Sequence, residues 1–88
     1  IKKSSEPYFM DTYAWVNVLQ GINLQEAELM LQRVVVKAPD TAVFNYHLGA
    51  LYSQQGNKAE AAVYLEKAKE LAVKHGDKVI AQKVSELL

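Results

Sequence analysis

The chain repeats itself after 34 or 35 residues, and this doubling constrains its fold more than any other feature of the sequence. At an offset of 34, residues 23–31 (NLQEAELML) fall on residues 57–65 (NKAEAAVYL), and at an offset of 35 Phe9 falls on Phe44. One extra residue in the turn of the first copy explains the two offsets. A period of this length indicates a repeated supersecondary unit whose copies stack on one another.

Each copy has apolar residues at helical spacing on both sides of a glycine. In the second copy these residues precede and follow Gly56 at three- and four-residue intervals, which predicts two helices joined by a turn. Its predicted core residues are Phe44, Leu48, Leu51, Tyr52, Ala61, Leu65, Ala68 and Leu71. The first copy repeats the plan around Gly21, with Phe9, Tyr13, Val16, Ala27, Leu31 and Val34 as its predicted core. Pro39 is expected to end this copy, and Asp40 or Thr41 to cap the next helix.

The segment after Gly76, DKVIAQKVSELL, predicts one more helix with Asp77 as its cap. We expect its apolar residues to share one side and to cover the end of the stack, namely Val79, Ile80, Val84, Leu87 and Leu88. The start of the chain indicates a cut between elements of a longer protein. The predicted organisation is a linker over 1–6, helix pairs over 7–39 and 40–75, and a closing helix over 76–88.

The second copy, NYHLGALYSQQGNKAEAAVYLEKA, places small and large residues at Leu48-Gly49, Tyr52, Gly56, Ala61, Leu65 and Ala68. The first copy does so at Tyr13-Ala14, Gly21, Ala27, Leu31, Val34 and Pro39. This pattern resembles the tetratricopeptide repeat over roughly residues 7–74. The resemblance implies an all-α, right-handed α-solenoid of antiparallel helix pairs, with about five helices in this chain, and a function in protein–protein interaction.

Composition and charge exclude several other functions. Ten basic and ten acidic residues give a net charge of zero, so neither nucleic-acid binding nor a polybasic membrane contact is expected. The sequence has no cysteine and no apolar run of about 18 residues, which excludes disulfides and predicts no membrane insertion. The cellular compartment stays open.

Catalysis is not expected from this sequence. It has two histidines, His47 and His75, and His75 fits the negative end of a helix dipole. No metal-ligand spacing, phosphate-binding glycine loop or nucleophile motif accompanies them. We therefore expect no enzyme, no cofactor and no metal.

The resemblance implies that the first helix of each pair lines a concave groove that holds a partner's peptide or helix. The groove candidates are Tyr8, Asp11, Trp15 and Leu19 from the first copy, and Val43, Tyr46, His47, Ala50 and Ser53 from the second. Trp15 and Tyr46 are the expected anchors, because these residue types dominate binding hot spots. Packing of Trp15 against a neighbouring helix is an equal alternative. Because no lysine lies among the candidates, capture of a C-terminal carboxylate is not expected.

A structural role is the alternative function. The first copy exposes the flank that a preceding repeat would cover, and we expect Tyr8, Met30 and nearby apolar residues to form an open face there. The chain would then close a longer solenoid and form homo-oligomers through its open end. The segment DTYAW (11–15) also resembles the last repeats of long bacterial proteins linked to exopolysaccharide export or envelope assembly, which implies a bacterial source.

Overall fold

The computed structural model describes residues 6–88, which form five α-helices joined by short turns. The helices are α1 (Glu6–Gln20), α2 (Leu24–Lys37), α3 (Ala42–Gln54), α4 (Lys58–His75) and α5 (Lys78–Leu87). The predictions of an all-α chain and of about five helices are confirmed. Glu6 already belongs to α1, and the rest of the predicted linker lies outside the described residues. Within residues 6–88, no helix has the length and apolarity needed to cross a membrane.

The turns use the residues that the sequence predicts for them. Gly56 and Gly76 have φ angles of 81° and 74°, in the left-handed region that glycine adopts without steric cost. The Asp77 side chain accepts a hydrogen bond from the Ile80 backbone N–H at 3.0 Å, so the predicted cap of α5 is confirmed. Thr41 is the N-cap residue of α3, although its side chain makes no capping bond.

The helices contact one another in chain order, and α3 is central. Each helix packs on the next, and α3 also touches α1 and α5. Among helices of residues 6–88, α2 and α4 do not touch each other. The most extensive contact is between α3 and α4, because Gly49 lets Leu65 lie directly against the α3 backbone. The predicted core of the second copy is buried throughout.

The face that α1 buries differs from the predicted one. Phe9, Tyr13 and Val16 were expected in the core, yet they are 62%, 52% and 47% exposed, so this prediction is wrong. The helix instead buries Pro7, Asp11, Ala14, Asn17 and Val18. Because α1 has apolar residues around most of its circumference, spacing alone does not select a face.

The open face and the closing helix also need correction. Met30 packs against the core as a half-buried residue, whereas Tyr8 is exposed as expected. In α5, Ile80 and Val84 are buried, but Val79, Leu87 and Leu88 are exposed, so they do not share the buried side. Val79 precedes Ile80 by one helical step of 100°, which turns it away from the contact with α3 and α4.

The close contact at Gly49 generates a stability prediction. A Cβ atom there would lie 2.7 Å from the Leu65 Cγ and Cδ2 atoms and 3.1 Å from the Leu65 backbone nitrogen. Gly49→Ala should therefore lower the free energy of unfolding by about 1–3 kcal/mol, the usual cost of overpacking, although alanine is the better helix former. Urea denaturation followed by circular dichroism measures the change.

Leu65→Ala provides the control for this prediction, because it removes the side chain that the new methyl group would meet. The cost of Gly49→Ala should fall in the Leu65→Ala background, so that the two changes are not additive. Equal costs in both backgrounds would show that steric contact with Leu65 is not the cause.

Candidate protein-binding surface

The nine groove candidates lie on α1 and α3, two helices that contact each other. They differ in what they can offer to a partner. Tyr8 and Leu19 are exposed, and Asp11 and His47 are buried. The remaining five are half-buried, namely Trp15, Val43, Tyr46, Ala50 and Ser53. A partner can therefore reach seven of the nine, while Asp11 and His47 support the surface from below.

Asp11 and His47 form a buried pair that joins α1 to α3. The His47 Nδ1 atom lies 2.8 Å and 2.9 Å from the two carboxyl oxygens of Asp11. A buried polar group that keeps a hydrogen-bond partner avoids the cost of desolvation. The pair thus gives each side chain a hydrogen-bond partner and fixes the orientation of the imidazole ring.

Trp15 stacks on the oriented His47 ring. The ring centroids are 3.9 Å apart and the planes are 14° from parallel. Tyr46 approaches both rings in tilted geometry, 5.6 Å from Trp15 and 5.4 Å from His47. We call these three residues the aromatic cluster. Trp15 packs on α3, as one of its two alternatives expects, and keeps part of its surface open, while its role as a groove anchor stays a prediction.

The environment of Tyr46 is apolar and slightly negative. Burial raises the pKa of its phenol above the ordinary value of 10.0, and the carboxylate of Glu86 raises it further. Glu86 belongs to α5, so the edge of this surface near Tyr46 carries negative charge from the closing helix.

The sequence did not predict the Asp11–His47 pair, because both residues were assigned to the open groove. A signal was present: the positions of Asp11 and Tyr46 correspond at an offset of 35, and His47 is the next residue. Only the packing of α1 against α3 brings Asp11 to His47. Within residues 6–88, no three or more His, Asp or Glu side chains lie close enough together to hold a metal ion.

Comparisons with known proteins find no matching family, curated protein or solved structure. The resemblances to tetratricopeptide repeats and to bacterial envelope proteins therefore stay predictions.

The buried pair predicts a specific loss of stability. Asp11→Ala should cost about 1–3 kcal/mol of unfolding free energy, because the buried His47 ring would lose its hydrogen-bond partner. The near-ultraviolet circular dichroism of Trp15 should weaken as its stacking partner becomes mobile. Thr12→Ala, an exposed change one residue away, is the control and should leave both signals close to wild type.

Alkaline pH should destabilise the protein partly through Tyr46. Its folded-state pKa lies above the unfolded value, so its contribution to stability is complete below about pH 10 and is lost as pH rises through the folded pKa. Tyr46→Phe should flatten this decline in urea midpoints measured from neutral to alkaline pH. Tyr8→Phe is the matched control on an exposed ring, and a decline of equal slope in both variants would contradict the prediction.

Proposed function

We propose that this chain is a protein–protein interaction module that binds a peptide or helix of a partner on the shared surface of α1 and α3. Its architecture would be a right-handed stack of two tetratricopeptide-like helix pairs with α5 as the closing helix. Contacts in chain order support this architecture, as does the fit of Leu65 against Gly49 between paired helices.

The observation that carries the binding proposal is the aromatic cluster. Trp15 is held in orientation by stacking on His47, which is itself bound to Asp11, and Tyr46 packs on both rings in tilted geometry. Rigid aromatic side chains that remain partly open lose little conformational entropy on binding and make effective hot spots. The rings of Trp15 and Tyr46 would contact large apolar side chains of the partner.

The charges around the cluster indicate the chemistry of the partner. No lysine or arginine lies among the groove candidates, and Glu86 places negative charge near Tyr46. A ligand with a terminal carboxylate would meet no lysine or arginine among these nine residues. The preferred ligand is an apolar peptide of neutral or basic character, held mainly by burial of its hydrophobic side chains and only mildly dependent on salt.

Peptides selected on the protein from a random display library would test this function. Trp15 is the only tryptophan in the sequence, so its fluorescence reports directly on ligands that reach the cluster. We expect selected peptides to be rich in large apolar residues and to shift the Trp15 emission on binding. Tyr46→Ala should weaken binding by about tenfold or more, as expected for loss of a hot spot.

A matched pair of leucine substitutions distinguishes binding at this surface from non-specific hydrophobic binding elsewhere on the protein. Leu19 on α1 and Leu29 on α2 are 68% and 61% exposed, so either change to glutamate should leave the fold intact. Leu19→Glu should reduce affinity for the selected peptides, and Leu29→Glu should not. The proposal would be rejected if both variants bound the selected peptides equally well. It would also be rejected if the selected peptides left Trp15 fluorescence unchanged, because the ligand would then bind elsewhere.

A further inference from the structure

The two helices of the proposed binding surface carry no lysine or arginine. Every such residue within residues 6–88 lies on α2, α4 or α5. The acidic residues of α1 are Glu6, which pairs with Lys37 at 3.2 Å, and Asp11, which is buried on His47. With Asp11 ionised, its pair with His47 has a charge of −1 when the imidazole is neutral and zero when it is protonated. The surface of α1 and α3 therefore has no net positive charge beside the aromatic cluster.

Glu86 adds a negative charge at the edge of this surface. It is exposed on α5, a helix that contacts α3, and it accepts a 3.4 Å hydrogen bond from the Gln82 side chain. Within residues 6–88, no lysine or arginine forms an ion pair with it. Burial raises the pKa of the Tyr46 phenol and the Glu86 carboxylate raises it further, whereas a nearby cation would lower it. The charge that acts on the Tyr46 ring is thus negative.

Trp15 and Tyr46 are placed so that one cation can contact both rings. Their centroids are 5.6 Å apart, their planes are inclined by 53°, and both side chains are half-buried. His47 covers one face of Trp15, so a ligand would approach the rest of the ring. A cation is attracted to an aromatic face within about 6 Å of its centroid, and most strongly to tryptophan. The two rings partly enclose a position that suits a positive charge.

The combination of aromatic rings and a carboxylate favours arginine over lysine as the source of that charge. A guanidinium group is planar and weakly hydrated, stacks on aromatic rings, and pairs with a carboxylate through two parallel hydrogen bonds. An ammonium group is compact and strongly hydrated, so it gains less from an aromatic surface. Because Glu86 is exposed, its side chain can turn toward a guanidinium group that lies on the rings.

We propose that an arginine side chain of the partner peptide binds here, with its guanidinium group against Trp15 and Tyr46 and in a charge pair with Glu86. We call these three residues the arginine site. The inference rests on the proposed peptide-binding function, and it adds the one charged group that the ligand must carry. The remaining affinity would come from apolar side chains of the same peptide.

Peptides that are selected on the protein and contain no tryptophan test the arginine site when each is synthesised in three forms. The first form keeps its arginine, the second has citrulline, which matches arginine in shape without the charge, and the third has lysine. Trp15 emission reports the affinity of each form, because it is the only tryptophan of the protein. Citrulline should raise the dissociation constant by about threefold to tenfold, as expected for loss of a cation–π contact and an exposed ion pair. Lysine should bind less tightly than arginine.

Glu86→Gln shows whether the arginine acts through this site. It should weaken binding of the arginine form by about threefold and leave the citrulline form nearly unchanged, so that the two changes are not additive. Glu70→Gln on the exposed side of α4 removes the same charge and is the matched control. It should bind both forms like wild type. Circular dichroism of both variants checks that the helices are retained.

Three results would overturn the inference while the proposed function stands. They are selected peptides that shift Trp15 emission but contain no arginine, an arginine form that binds no more tightly than its citrulline or lysine form, and equal affinity of Glu86→Gln and Glu70→Gln for the arginine form. A library without any binder would reject the proposed function, and acetyl-arginine amide at millimolar concentrations then tests the arginine site by itself. A shift of Trp15 emission with this probe, but not with acetyl-citrulline amide, would support the site, and no difference between the probes would overturn it.

Discussion

The contact between Gly49 and Leu65 is the constraint on which the rest of the structure depends. It lets α3 and α4 approach until a leucine side chain touches the backbone of the facing helix. Dispersion and apolar burial both increase when two helices pack this closely. The α3–α4 pair then supplies the surface on which α2 and α5 also pack, so the central helix fixes the positions of its neighbours.

The first helix joins this centre through polar and aromatic side chains in addition to the buried Ala14 and Val18. Asp11 bonds to His47, Trp15 stacks on the same ring, and the Tyr8 ring meets Phe44 edge-on at 5.1 Å. Such contacts are directional, whereas burial of aliphatic side chains is not. Consequently α1 has a defined rotation on α3, which leaves part of Trp15 accessible on one side and exposes Phe9, Tyr13 and Val16 on another.

Two sides of α1 carry accessible apolar side chains. On one side lies the aromatic cluster, which Asp11 and His47 support from below. On the other side Phe9, Tyr13 and Val16 are exposed, although the residues that correspond to them in the second copy are buried. The two helices differ because α3 contacts four other helices, whereas α1 contacts only α2 and α3 among the described residues.

The sequence by itself determined the helices, their turns and the core of the second copy, because glycine, capping residues and apolar spacing act locally. It did not determine which side of α1 is buried, since apolar residues surround that helix and Phe9, Tyr13 and Val16 match a buried set elsewhere. It likewise left Asp11 and His47 as separate groove residues. Tertiary structure decided both points, because the pairing of side chains 36 positions apart depends on how α1 rotates against α3.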